Sequence, residues 1–138
     1  EPAGPIAKIA SGGELSRVAL ALEEALSDAS ERRTLVFDEI DAGLGGRAGE
    51  ALGKSLRRIA QQHQVLCVTH LPQVAAQADL HLHVSKRESG GRTITEVRAL
   101  NDTERIDELA AMLAGEGAGS GAQAAAEELL SNARRRKR

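Results

Sequence analysis

The sequence contains neither tryptophan nor tyrosine, and only one phenylalanine, Phe37, among 138 residues. Proteins that hold single-stranded nucleic acid by stacking bases on aromatic side chains need several such residues, so that mode of binding is excluded. A single cysteine, Cys67, rules out a disulfide within the chain. It fits a reducing compartment and reads as a small core residue. No apolar run approaches the ~20 residues of a membrane-spanning helix, and no basic-then-apolar leader precedes the first helix. The expectation is a cytoplasmic protein with no membrane partner. The first residue is Glu1 rather than Met, the pattern of a processed protein or an excised piece. Proline is scarce; Pro2 and Pro5 discourage helix and make residues 1–10 an extended entry.

Basic charge is scarce in the body of the chain. Lys and Arg total 18 against 20 acidic residues, but five of the 18 form the terminal run Arg134–Arg138. Residues 1–133 therefore carry 13 basic and 20 acidic groups, a net of −7. An acidic body is a poor general surface for a phosphate backbone, so any contact with DNA has to come from the tail, a local patch or other segments. A terminal basic run is ordinarily a solvated tail.

What the sequence does have is a short apolar run, Thr34-Leu-Val-Phe37, followed at once by Asp38 and Glu39. Such a run predicts a strand covered on both faces. In open α/β sheets, ligands bind beyond the carboxyl ends of strands, where these two acids stand. Adjacent side chains point to opposite sides, which suits a metal-holding aspartate beside a glutamate that handles water. The loop Asp41-Ala-Gly-Leu-Gly-Gly46 follows immediately. A helix over 47–62 is predicted next, with Ala48, Leu52, Leu56 and Ile59 on one face, then a second buried strand, Gln64–Thr69, ending in His70. Strand, helix and strand make a parallel βαβ unit, which brings His70 to the same sheet edge as Asp38 and Glu39.

Upstream, Ser11-Gly-Gly-Glu14 precedes apolar residues at helical spacing, namely Leu15, Val18, Ala19, Leu22 and Leu26. Ser11 and Glu14 fit a capping box. Two glycines in a first turn weaken a helix, but they leave amides bare for an anion at its positive end. Downstream, Pro72 opens a short helix over 73–77. Strands over 79–86 and 92–100 form a hairpin around Ser89-Gly-Gly91, and Asn101 or Asp102 caps a helix through Met112. Ile106, Leu109, Ala110 and Leu113 are expected inward. His81 and His83 alternate on one strand face but lack a third metal ligand. Residues 114–121 are flexible by composition, and 122–133 can form a last helix. The expected division is 1–113 and 114–138. Gly49-Glu-Ala-Leu-Gly-Lys-Ser55 superficially resembles a phosphate-binding loop, but its glycines are one residue too close and it lies within a helix.

Taken together, Ser11-Gly-Gly-Glu14, the Asp38-Glu39 strand, the glycine loop and Val68-Thr-His70 resemble, in order, the signature motif, Walker B strand, D-loop and switch histidine of the ABC-type ATPase head. Within that superfamily, Ala10-Ser-Gly-Gly-Glu-Leu-Ser-Arg17, Phe37-Asp-Glu-Ile-Asp-Ala-Gly-Leu-Gly-Gly-Arg47 and Val68-Thr-His-Leu-Pro-Gln-Val-Ala-Ala-Gln77 resemble the RecN family of SMC-like ATPases of bacterial double-strand-break repair. The resemblance implies an α/β fold, the C-terminal half of a P-loop ATPase head, with a mostly parallel sheet, flanking helices and a hairpin toward the C-terminal side. It implies ATP and Mg²⁺ as ligands, with Asp38 holding the metal and Glu39 polarising the attacking water. Ser11, Gly12, Gly13 and Glu14 would bind ATP held on a second head, and His70 would contact its γ-phosphate. The implied partners are an N-terminal half-head carrying Walker A, a second head and DNA, in a nucleoid-associated setting. Many relatives end the D-loop in Asp where Gly45 stands here. Two other readings remain open: a half-head of another SMC-type or ABC ATPase, and a non-catalytic nucleic-acid interaction module. Transporter heads typically have Pro-Thr where Ile40-Asp41 stand. An isolated half-head is expected to be marginally stable or self-associating, because Leu35, Val36, Leu66 and Val68 require cover on both faces and only some of that cover is encoded here.

Overall fold

A computed structural model describes residues 12–26 and 32–135. The extended entry over 1–10, the Ser11 cap and the last basic residues, 136–138, lie outside the described residues, as do the side chains of Leu15, Leu22 and Leu26. The chain forms two compact units, Glu1–Val74 and Ala75–Arg138.

The first unit contains helix α1 (Gly12–Leu26), strand β1 (Thr34–Phe37), helix α2 (Gly46–Ile59) and strand β2 (Gln64–Cys67). The two strands pair in parallel, from Thr34 against Gln64 to Phe37 against Cys67. This is the βαβ arrangement read from the sequence. Its core consists of Leu20, Phe37, Ile40, Leu52, Leu56, Ile59, Leu71 and Val74. On α2 the apolar face is as expected except at Ala48, which is exposed, while Gly49 and Gly53 are buried. A side chain at Gly49 would begin 3.0 Å from the Leu71 Cδ1, so glycine permits that helix to lie close to the chain after β2. The phosphate-loop lookalike thus lies inside α2, and its glycines serve packing.

The strands are only half covered. Val36 and Val68 are 69% and 65% exposed, and Leu66 is exposed beside Val36 in the register. This agrees with the expectation that only part of the cover these strands require is encoded here, since α1 and α2 leave Val36, Leu66 and Val68 exposed.

The second unit is built from local contacts. Strands β3 (Leu82–Ser89) and β4 (Arg92–Ala99) pair antiparallel about Gly90-Gly91, both with positive φ, the backbone that a two-residue hairpin turn demands. Strand β3 begins three residues later than read from the sequence, so His81 lies outside it. Helix α4 (Asp102–Ala114) starts with a full capping box: the Glu104 amide donates to the Asn101 side chain, and the Asn101 amide donates to Glu104. Helix α5 (Ser120–Arg135) packs on α4 through Leu109, Ala110, Ala126, Leu130 and Ala133. Leu113, expected inward, is exposed, and Arg105 is buried instead. The Arg105 Nη2 donates to the Ala78 carbonyl at 2.9 Å, which draws that face of α4 inward. Of the segment expected to be flexible, Ser120 and Gly121 begin α5, and the boundary expected after residue 113 falls in the last turn of α4. Arg134, expected in a solvated tail, lies in the last turn of α5 and pairs with Asp102. A short helix, α3 (Pro72–Ala75), follows β2. No described helix is long and apolar enough to cross a membrane.

Candidate active site

The parallel pair ends with one bond beyond the strands, as Val68 N–H donates to the Phe37 carbonyl at 2.9 Å. The chain then leaves the sheet edge with both carboxylates exposed, Asp38 and Glu39. Glu39 has φ +55, and it is the one non-glycine among the described residues in the left-handed region. A conformation of that kind costs about 1–3 kcal/mol and persists where neighbours enforce it, which is typical of functional loops. Here the Glu39 carbonyl accepts from the Ala42 amide at 3.1 Å, and the Asp41 carbonyl accepts from the Leu44 amide at 3.0 Å. These turns fold the loop back under Ile40, which is fully buried.

Helix α1 is fastened to this loop by its first two turns. Ser16 Oγ donates to the Asp38 carbonyl at 3.3 Å, and Arg17 Nη1 donates to the carbonyls of Ile40 and Ala42, each at 3.1 Å. A side chain at Gly13 would begin 2.6 Å from the Glu39 carbonyl oxygen, closer than any real contact. Gly13 therefore has a packing role that the sequence reading did not include. Gly13, Ser16, Arg17 and the buried Leu20 share one helical face. The apolar pattern instead pointed to Val18 and Ala19, both of which are exposed. Ser16 and Arg17 were missed, because hydropathy spacing gives polar side chains no inward role.

The third component is Asp41, 2% exposed. One of its oxygens, Oδ2, accepts from Thr69 Oγ1 at 2.5 Å and from the His70 amide at 2.9 Å, and lies 3.1 Å from His70 Nδ1. Thr69 Oγ1 in turn accepts from the Leu71 amide at 3.0 Å. Burial alone would raise the Asp41 pKa; the hydrogen bonds from Thr69 and the His70 amide, with the His70 charge, outweigh it and hold the carboxyl below its ordinary value. The His70 side chain itself is 68% exposed. Burial, reinforced by the negative charges of Asp41 and Asp38, pushes the Cys67 thiol up to about 11, so it is an inert core group.

The sequence-derived residues thus divide. Asp38, Glu39 and His70 leave the same edge of the parallel pair, as expected. Gly12, Gly13 and the exposed Glu14 form the first turn of α1, while Ser11 lies outside the described residues. His83 Nε2 lies 3.6 Å from Glu108 Oε2, and no group of three candidate metal ligands occurs among the described residues.

No protein-family profile matches the chain. It is 53% identical over 133 residues to the DNA repair protein RecN of Mycobacterium leprae, and 52% identical over 115 residues to that of Halalkalibacterium halodurans, covering 96% and 83% of this chain. It is 47% identical over all 138 residues to RecN of Treponema pallidum. The chain spans only 20–24% of the length of these relatives. Among solved structures, one described as "Structural biochemistry of ATP-driven dimerization and DNA stimulated activation of SMC ATPases" superimposes with a TM-score of 0.56 at 24% identity, over 85% of this chain and 72% of that one. By sequence the chain is similar to the RecN DNA repair proteins over most or all of its own length while spanning under a quarter of theirs, and its fold is similar to that of the SMC ATPase structure.

Proposed function

We propose that this chain is the C-terminal half of a composite ATPase head, which hydrolyses ATP only when joined to a segment carrying a Walker A loop. The observation that carries the reading is the fastening of the α1 N-terminus to the backbone of Asp38–Ala42 by Gly13, Ser16 and Arg17. That arrangement holds a positive helix end and two carboxylates as one piece, which phosphoryl transfer requires more than it requires covalent chemistry.

Asp38 fits a magnesium ion: it is an exposed oxygen donor at a strand end, with no side-chain partner among the described residues. Mg²⁺ is commonly held by one or two carboxylates and by substrate phosphates, so a single aspartate here is sufficient. When bound, the ion would neutralise charge on the phosphates. Glu39 would orient the attacking water and accept its proton. The amides of Gly12 and Gly13, with Ser11 and Glu14, would face the phosphates of ATP carried by a second head, and His70 would meet the γ-phosphate. Two heads closing on ATP, and opening after hydrolysis, would alter the hold on DNA during double-strand-break repair at the nucleoid. Support for this wider reading comes from the RecN relatives and from the dimerising SMC structure.

The test is ATP turnover by this chain, by a separately made Walker A segment and by the mixture, with Glu39→Gln as control. Activity only in the mixture, reduced at least about 100-fold by Glu39→Gln, is the expected result. Turnover by this chain alone would refute the composite site. Absence of ATP binding by a folded mixture would favour a non-catalytic interaction module.

A further inference from the structure

We propose that Asp41 is the positioning residue of His70, holding both its backbone and its ring so that Nε2 is the nitrogen presented to a phosphate. The inference rests on the reading of His70 as a phosphate contact, but its structural half can be tested without nucleotide.

Asp41 is the one aspartate or glutamate buried among the described residues, and burying a carboxylate is expensive unless its oxygens are satisfied. Its partners are not dispersed. All three contacts converge on Oδ2, and all three come from Thr69 and His70, in the turn just beyond β2. The Thr69 hydroxyl passes the restraint on, donating to Asp41 while accepting from the Leu71 amide. The turn that carries His70 is therefore tied by its backbone at two successive amides, one directly and one through a hydroxyl. The imidazole Nδ1 lies 3.1 Å from the same oxygen, an ion-pair contact.

A carboxylate only accepts, so the ring nitrogen that faces it must carry the proton. This sets the Nδ1–H tautomer in the neutral ring and leaves Nε2 on the exposed side. An imidazole without this partner would be free to rotate and to exchange tautomers, and its outer nitrogen would be misplaced for much of the time. Gly45 occupies the position where many relatives of the ABC type carry an acid in this loop; Asp41 belongs to the same loop but faces inward, toward its own chain's histidine. It therefore does different work, acting within one head.

The measurement is the ¹⁵N shift pair of the His70 ring in the 138-residue chain, followed by turnover of the reconstituted head. Neutral His70 is expected to populate mainly the Nδ1–H form in the unaltered chain and to move toward Nε2–H in Asp41→Asn. An Nε2–H ring in the unaltered chain overturns the proposal. Should Asp41→Asn fail to fold, Thr69→Val removes the hydroxyl but keeps the ring contact. Retention of the Nδ1–H form there supports the proposal, and its loss overturns it. In turnover, Asp41→Asn is expected to lower kcat about 10- to 100-fold with little change in KM for ATP, and to have no further effect once His70 is replaced by alanine. An undiminished effect in His70→Ala would show that Asp41 acts only through loop structure. If His70→Ala itself leaves turnover unchanged, the phosphate-contact reading fails while the tautomer result stands.

Discussion

Among the described residues, each unit buries one acidic or basic side chain besides histidine, Asp41 and Arg105, and the two differ in what that charge holds. In Glu1–Val74 the buried anion Asp41 gathers a hydroxyl, a backbone amide and an imidazole from the end of β2. In Ala75–Arg138 the buried cation Arg105 donates to a backbone carbonyl at Ala78, and its Nε has no partner among the described residues. Burial, with the repulsion of Arg134, lowers the Arg105 pKa. The anion thus fixes a side chain that remains exposed, whereas the cation fixes backbone. The units also differ in how far along the chain their contacts reach. The hairpin and the α4–α5 pair close over short loops, while β1 and β2 meet across α2, so the first unit depends more on long-range packing.

Core truncations should expose that dependence most strongly. Ile40→Ala removes a fully buried side chain directly after the carboxylates and is expected to cost about 2–5 kcal/mol, read as lost amide-exchange protection in β1, β2 and α2. Leu109→Ala, equally buried, should strip protection from α4 and α5. Unchanged protection in β1 and β2 after Ile40→Ala would show that the loop is not part of the core that supports the strands. Gly13→Ala comes next. Its Cβ would meet backbone at Glu39, which cannot swing aside, so a destabilisation of about 1–3 kcal/mol is expected despite alanine's better helix propensity. Gly121, on α5, has open space where its Cβ would be, and Gly121→Ala should instead stabilise by up to about 1 kcal/mol. If both substitutions stabilise, α1 is not seated on the loop as described.

Much of the architecture was legible because it follows from local rules. Asn101 with Glu104, Gly90-Gly91 and the apolar run before Asp38 each announce their element by chemistry that acts over a few residues. The candidate site was legible in its exposed members, Asp38, Glu39 and His70. It was not legible in the groups that hold them. Asp41 looks like any loop acid until the fold brings Thr69 and His70 to it from 28 and 29 residues away. Arg17 and Ser16 look like the polar side of an amphipathic helix, because a periodicity count scores side chains by hydropathy and ignores the carbonyls that an irregular loop offers. Arg105 and Leu113 exchange places for the same reason: a hydrogen bond to Ala78, invisible in the sequence, decides which face of α4 turns inward. At Gly49 and Gly53 sequence and structure agree: the phosphate-loop lookalike is part of a helix, and both glycines lie buried within α2.

The smallest expected effect concerns acid, and it separates the two units by salt. Asp41, Asp102 and Glu104 all have pKa values below the ordinary carboxylate value when folded. Each therefore contributes stability that is fully present above the unfolded value, near 3.8 for Asp and 4.5 for Glu, and is lost as pH falls through the lower folded value. The causes differ. Asp102 owes its shift first to the hydrogen bond from Arg134, and Glu104 owes its shift first to the Asn101 amide and then to Arg98, all at the surface. Asp41 is held in the interior by Thr69 and the His70 amide against the opposing effect of burial. At about 1 M salt the Debye length shrinks to roughly 3 Å, which screens the surface pairs and leaves the buried one nearly untouched. Residue-resolved acid titrations at low and high salt should therefore move the midpoints of Asp102 and Glu104 upward and leave that of Asp41 in place. Arg134→Ala should reproduce the salt effect at Asp102 alone. An Asp41 midpoint that rises with salt would mean that its carboxylate is solvated, and that the loop beneath Glu39 opens far enough to release His70.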